Sequence, residues 1–132
     1  AAMPAHAVDL LEGLAGDLAG KRVAVLGAAY RGGVKETAFS GVFPVVNELR
    51  ERGAEVAVHD PMFTDEELGK YGFAPYHLGQ EADLAVLQTD HAEYRELTSA
   101  ALPGVTAIVD GRRILDPANF DGVPITVIGK GA

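Results

Sequence analysis

Apolar positions recur along the chain with two alternating periods. Val8, Leu11, Leu14 or Ala15, and Leu18 lie three to four residues apart, which predicts an amphipathic helix with Pro4 in its first turn and Gly20 as its stop. RVAVLG, Arg22 to Gly27, is a short β-branched run bounded by glycines and reads as a buried strand. From Gly41 the helical period returns at Val42, Val45, Val46 and Leu49, ending at Arg50, Arg52 and Gly53, with Pro44 tolerable only in the first turn. EVAVHD, Glu55 to Asp60, is the next strand and Pro61 stops it. TDEELGKYG then predicts a short helix with Thr64 and Glu67 as a capping box and Gly72 as its end. Phe73 to Gln80 reads as an irregular connection. DLAVLQT (Asp83 to Thr89) is a third strand, HAEYRELTS a short helix, TAIVD (Thr106 to Asp110) a fourth strand and PITVIG (Pro124 to Gly129) a fifth. Strands alternating with helices at this interval need crossover connections. The expected fold is therefore an α/β, Rossmann-like three-layer domain with a mainly parallel sheet of about five strands.

Composition narrows what such a domain can bind. With 132 residues there is room for one core. The formal charge of −8 argues against nucleic acid or an anionic membrane surface, which need a basic field, so an anionic ligand has to be held by a few local cations. The sequence contains no cysteine, which excludes disulfides, thiolate metal sites and a cysteine nucleophile from it. No apolar run has the length of a membrane span, and a cytoplasmic domain is the expectation.

Parallel α/β sheets bind ligands beyond the carboxyl ends of their strands. Here those positions hold Gly27 to Lys35, His59-Asp60-Pro61, Thr89-Asp90-His91 and Asp110-Gly111-Arg112-Arg113. The turn after the first strand lacks the G-x-G-x-x-G of a dinucleotide site: Gly27 is followed by Ala28, Ala29, Tyr30 and Arg31 before Gly32 and Gly33. Asp60 stands where such a fold puts its ribose-binding acid, but Asp-Pro also ends strands, and the structural reading is favoured. His59, His77 and His91 show no ligand spacing and read as surface or capping residues, His6 carries no signal, and no metal site is expected. Asp90-His91 has no serine or cysteine to activate, and Asp90 reads as the N-cap of the following helix. Tyr30-Arg31 and Arg112-Arg113 carry the stronger signal. A loop aromatic offers a flat surface to a base or sugar, and a guanidinium offers a planar fork to phosphate oxygens; solvated pairing with nearby acids is the bland alternative.

These pieces together resemble the C-terminal, UDP-binding domain of the UDP-glucose/GDP-mannose dehydrogenase family, which includes the UDP-N-acetylmannosamine dehydrogenases. MPAHAVDLLEGL looks like the end of the family's interdomain helix, and KRVAVLGAAYR like its strand and G-x-A-[FY]-K loop with Arg31 at the lysine. ELRERGAEVAVHDP, ADLAVLQTDHAEYREL and AIVDGRRILDP match its helix-Gly-strand-Asp-Pro run, its strand followed by Thr, an acid and His, and its D-G-R-x-x-L-D signature. The resemblance implies a domain that clamps a UDP-sugar or other nucleotide sugar within an enzyme that oxidises the sugar alcohol to a uronic acid. NAD and the catalytic cysteine would then belong to N-terminal and central domains outside this chain. Residues 1–20 would be a linker helix from the central domain and 21–132 the nucleotide-sugar-binding domain.

Carried over by position, Tyr30 and Arg31 fall on the aromatic-basic pair along the uridine and phosphate. Asp110, Gly111 and Arg112 fall on the D-G-R element, and Arg113 follows it. No catalytic, NAD-binding or metal residue is expected in this chain, which should be inactive alone, and homo-oligomerisation is left open. The family usually reads x-x-D-D-x-R-E-S-P after the loop. Here Lys35 reverses the first acid, Glu36 keeps the second, Ala38 replaces the arginine, Ser40 keeps the serine and Gly41 stands at the proline. Part of the Val8, Leu11 and Leu18 stripe is expected to lie exposed. A free-standing nucleotide-binding regulatory module and an independent NAD-binding domain are the alternative readings.

Overall fold

The computed structural model describes residues 2–29, 31–37 and 40–128. Helix α1 (Ala2–Ala15) precedes β1 (Arg22–Leu26), α2 (Val42–Glu51), β2 (Glu55–His59), α3 (Asp65–Lys70), β3 (Ala74–Pro75), β4 (Leu84–Leu87), β5 (Ile108–Asp110) and β6 (Ile125–Val127). The sheet has six strands in the order β3-β2-β1-β4-β5-β6, and each neighbouring pair is parallel. Strand order reverses between β1 and β4, which opens a crevice at their carboxyl ends.

The period-two alternation of the strands sorts their side chains onto two covered faces. On one, Val23, Val25, Val56, Val58, Leu84, Val86 and Val109 pack with Val8 and Leu11 of α1 and with Val42, Val45, Val46 and Leu49 of α2. On the other, Ala24, Leu26, Ala85, Leu87 and Ile108 meet Tyr94, Leu97, Leu102, Ile114, Leu115 and Phe120 from loops and short 3-10 turns. Arg52 ties α2 to α1 through Asp9 (2.7 Å) and Glu12 (3.0 Å).

Four expectations change. A sixth strand, β3, pairs with β2 inside the stretch read as irregular. Helix α1 ends at Ala15, with Gly16 at φ 81°, so Leu18 lies beyond it. Val8, Leu11 and Leu18 are nevertheless fully buried, because α2 and the sheet within this chain cover them; of that face Leu14 is exposed. After β4 the chain forms a 3-10 turn over Ala92–Glu96, since Tyr94 and Leu97, three apart, both point to the sheet. The capping box at Thr64 and Glu67 forms as expected, and Pro44 sits in the first turn of α2.

Candidate functional site

The loop after β1 is fixed by groups that follow two neighbouring strands, β2 and β4. Gly27 has φ 110°, and a Cβ there would lie 2.2 Å from Thr89 Cβ and 2.7 Å from Thr89 N, so glycine is required for β1 and β4 to approach each other. Thr89 Oγ1 donates to the Ala29 carbonyl (2.9 Å). The N–H groups of Ala28 and Ala29 donate to Asp60 Oδ2 (2.8 and 3.1 Å), and Asp60 Oδ1 accepts from Met62 N (2.8 Å). His91, fully buried, donates from Nε2 to Asp60 (2.8 Å) and accepts the Gly33 N–H at Nδ1 (3.1 Å). These partners assign the Nε2–H tautomer and satisfy both ring nitrogens. Burial would raise the Asp60 carboxyl, but the His91 N–H and the backbone N–H groups of Ala28 and Met62 outweigh it and hold the acid below its ordinary value. The turn's amide donors, which in a dinucleotide site would face a pyrophosphate, are spent on a protein carboxylate.

Two further acids build the arginine-bearing loops. Asp90 does not cap the turn after it, whose N-cap is His91 without a side-chain bond. Instead Asp90 Oδ1 accepts the Gly32 N–H (2.5 Å) and Oδ2 pairs with Arg112 (3.4 Å). Against the effect of burial, Gly32 and Arg112 keep the Asp90 carboxyl below its ordinary value. Asp110 is buried at the end of β5, where Oδ1 accepts from the N–H groups of Arg112 (2.9 Å) and Arg113 (2.8 Å). Its Oδ2 accepts from those of Ile114 and Leu115 (both 2.9 Å). Four donors thus wrap one carboxylate, and Arg113 takes φ 61° to complete the wrap. Asp110 enters the site as the residue that positions Arg112 and Arg113. Gly111 N donates to the Leu87 carbonyl (3.0 Å), pinning the same loop to β4.

The sequence-derived cations therefore sit on hydrogen-bonded loops at the carboxyl edge of the sheet. Arg31, Arg112 and Arg113 are exposed, and Asp90 joins the Arg31 loop to the Arg112 loop. Tyr30 lies outside the described residues, as does Ala38. Lys35 turns away from this edge: its ammonium pairs with Glu67 on α3 and lies 5.6 Å from the Phe63 ring centroid. With Phe63, Glu67, Lys70 and Tyr71 it borders an open recess of about 350 Å³. Sequence reasoning missed Gln88, at the end of β4. It lines a recess of about 120 Å³ with Ala7, Gly41, Val45, Gly111, Arg112 and Ile128. Nothing in its local sequence singled it out.

The histidines divide by environment. His59, half-buried, has its Nδ1 2.9 Å from the Tyr94 hydroxyl, and burial lowers its imidazole. His77 is exposed and pairs with Asp65 (2.7 Å). No group of three potential metal ligands occurs among the described residues.

The UDP-glucose/GDP-mannose dehydrogenase family, UDP binding domain, matches residues 24–117. The chain belongs to this family. It is 31% identical over 105 residues to the UDP-glucose 6-dehydrogenase AglM of Haloferax volcanii, covering 75% of this chain and 24% of that protein. To the UDP-N-acetyl-D-mannosamine dehydrogenase of Pyrococcus horikoshii it is 32% identical over 98 residues, covering 70% of this chain and 22% of that protein. The structure of a UDP-glucose dehydrogenase from Pyrobaculum islandicum superposes with a TM-score of 0.72 at 30% identity, over 97% of this chain and 29% of that one. The chain thus spans about a quarter of the length of these curated relatives. None of the described helices is long and apolar enough to cross a membrane.

Proposed function

We propose that this chain is the nucleotide-sugar clamp of an NAD-dependent UDP-sugar dehydrogenase, with residues 1–20 leading in from a central domain. The observation that carries this reading is the Asp110-wrapped loop, which holds Arg112 at a fixed place beside the β1/β4 crevice. In an otherwise acidic chain, Arg112 with Arg31 and Arg113 supplies the fork geometry that diphosphate oxygens require. Asp110 and Gly111 serve by fixing the loop, and Tyr30 would lie along the base. NAD does not fit this chain's own crevice. The glycine fingerprint is missing, and the Ala28 and Ala29 N–H groups are bonded to Asp60. Nicotinamide chemistry is accordingly assigned to other domains, and the chain alone reduces no NAD when mixed with UDP-glucose.

The test is calorimetric titration. UDP binds the chain and NAD does not, and Arg112→Ala weakens UDP by about ten- to a hundredfold, the worth of one charge-assisted contact. Arg31→Ala acts in the same direction but more mildly. An Arg112→Ala chain with intact circular dichroism and unchanged UDP affinity would return these arginines to the solvated rim.

A further inference from the structure

Gln88 leaves β4 at the point where strand order reverses, and its side-chain amide has no hydrogen-bond partner among the described residues. The amide lies over the start of α2, where a Cβ on residue 41 would stand 2.5 Å from Gln88 Nε2. Glycine at 41 is therefore what leaves room for it. The same recess is bordered by Arg112 and closed by the aliphatic side chains of Ala7, Val45 and Ile128, so Gln88 and Arg112 are its polar side chains. A carboxamide is neutral and both donates and accepts; it does not compete with a guanidinium for a phosphate, but it complements a hydroxyl, which also does both. In a nucleotide sugar the groups directly flanking the diphosphate are rings carrying hydroxyls, the ribose on one side and the hexose on the other.

We propose that Gln88 is a further ligand-contacting residue, which hydrogen-bonds a ring hydroxyl next to the diphosphate and is kept in place by the missing side chain of Gly41. This rests on the clamp reading above. It implies that Gly41 and Gln88 act as one unit. Adding a methyl at 41 meets only the flexible end of Gln88, so the fold tolerates it while the amide is displaced.

The experiment compares the parent chain with Gln88→Leu, Gly41→Ala and the double variant, titrating UDP and UDP-glucose into each after matching their thermal stability. Each single variant is expected to lose about three- to tenfold in affinity, the worth of one neutral hydrogen bond. The double variant is expected to lose no more than Gln88→Leu alone, because the two changes remove the same contact. Equal loss on both ligands identifies a ribose hydroxyl, and loss on UDP-glucose alone identifies a sugar hydroxyl. A Gln88→Leu chain that binds both ligands as the parent does, while Arg112→Ala remains weakened, overturns the role of Gln88 and leaves the clamp standing. A parent that binds neither ligand overturns the clamp and this proposal with it.

Discussion

Replacing Asp110 by asparagine lowers the stability of the chain by roughly 3 to 5 kcal/mol and takes nucleotide affinity down with it. The reason is the count of donors around one buried group. Each carboxylate oxygen accepts two backbone N–H groups. Asparagine keeps one oxygen and turns an NH2 toward the other pair, whichever way it flips, so two backbone donors face a third. Each donor left unsatisfied costs about 1 to 3 kcal/mol. Urea denaturation measures the loss. The affinity effect follows because the same N–H groups hold Arg112 and Arg113, including the left-handed backbone of Arg113 that the wrap sustains. At a temperature where the variant is still folded, its UDP affinity is expected to fall as far as that of Arg112→Ala. A loss of stability below about 1 kcal/mol would show that the D-G-R loop stands without its carboxylate.

The contrast between Asp110 and Asp90 shows which parts of this site a sequence discloses. The strands and α2 were legible because their burial imposes a period that the residues must obey. β3 was not, since it consists of two residues, one of them Pro75, and exists only because β2 offers an edge for them to pair with. The D-G-R run was legible as a motif, but its division of labour was not: the acid faces inward and the arginine outward, a choice made by four N–H groups that a linear pattern does not display. Asp90 read as a cap because caps are local. The donor that wins it, Gly32 N–H, comes from a loop 58 residues earlier. Gln88 and Gly41 have no signature at all. Their relation is a matter of one absent Cβ, visible only when β4 and the start of α2 are side by side.

Asp60→Ala is the second large effect expected, again roughly 3 to 5 kcal/mol, and it carries a pH signature that identifies its cause. The substitution strands the N–H groups of Ala28, Ala29 and Met62 and the Nε2–H of His91, and so loosens the loop that bears Arg31. In the folded chain the Asp60 carboxyl is held below its ordinary value of 3.8, whereas the unfolded chain regains that value. The unfolded state therefore takes up the proton first as pH falls. Asp60's charge-dependent stabilisation is complete above the ordinary carboxylate value and is lost as pH drops through it toward the lower folded value. Asp90, shifted in the same direction, gives both proteins a common acid sensitivity, so the informative quantity is the difference between them. Denaturation curves collected from neutral pH down to about pH 3 should show the gap between parent and Asp60→Ala at its widest near neutrality. The gap then narrows steadily below the ordinary carboxylate range, because the parent loses what the variant never had. A gap that stays constant across this range would mean that the loop depends on the shape of the Asp60 side chain rather than on its charge.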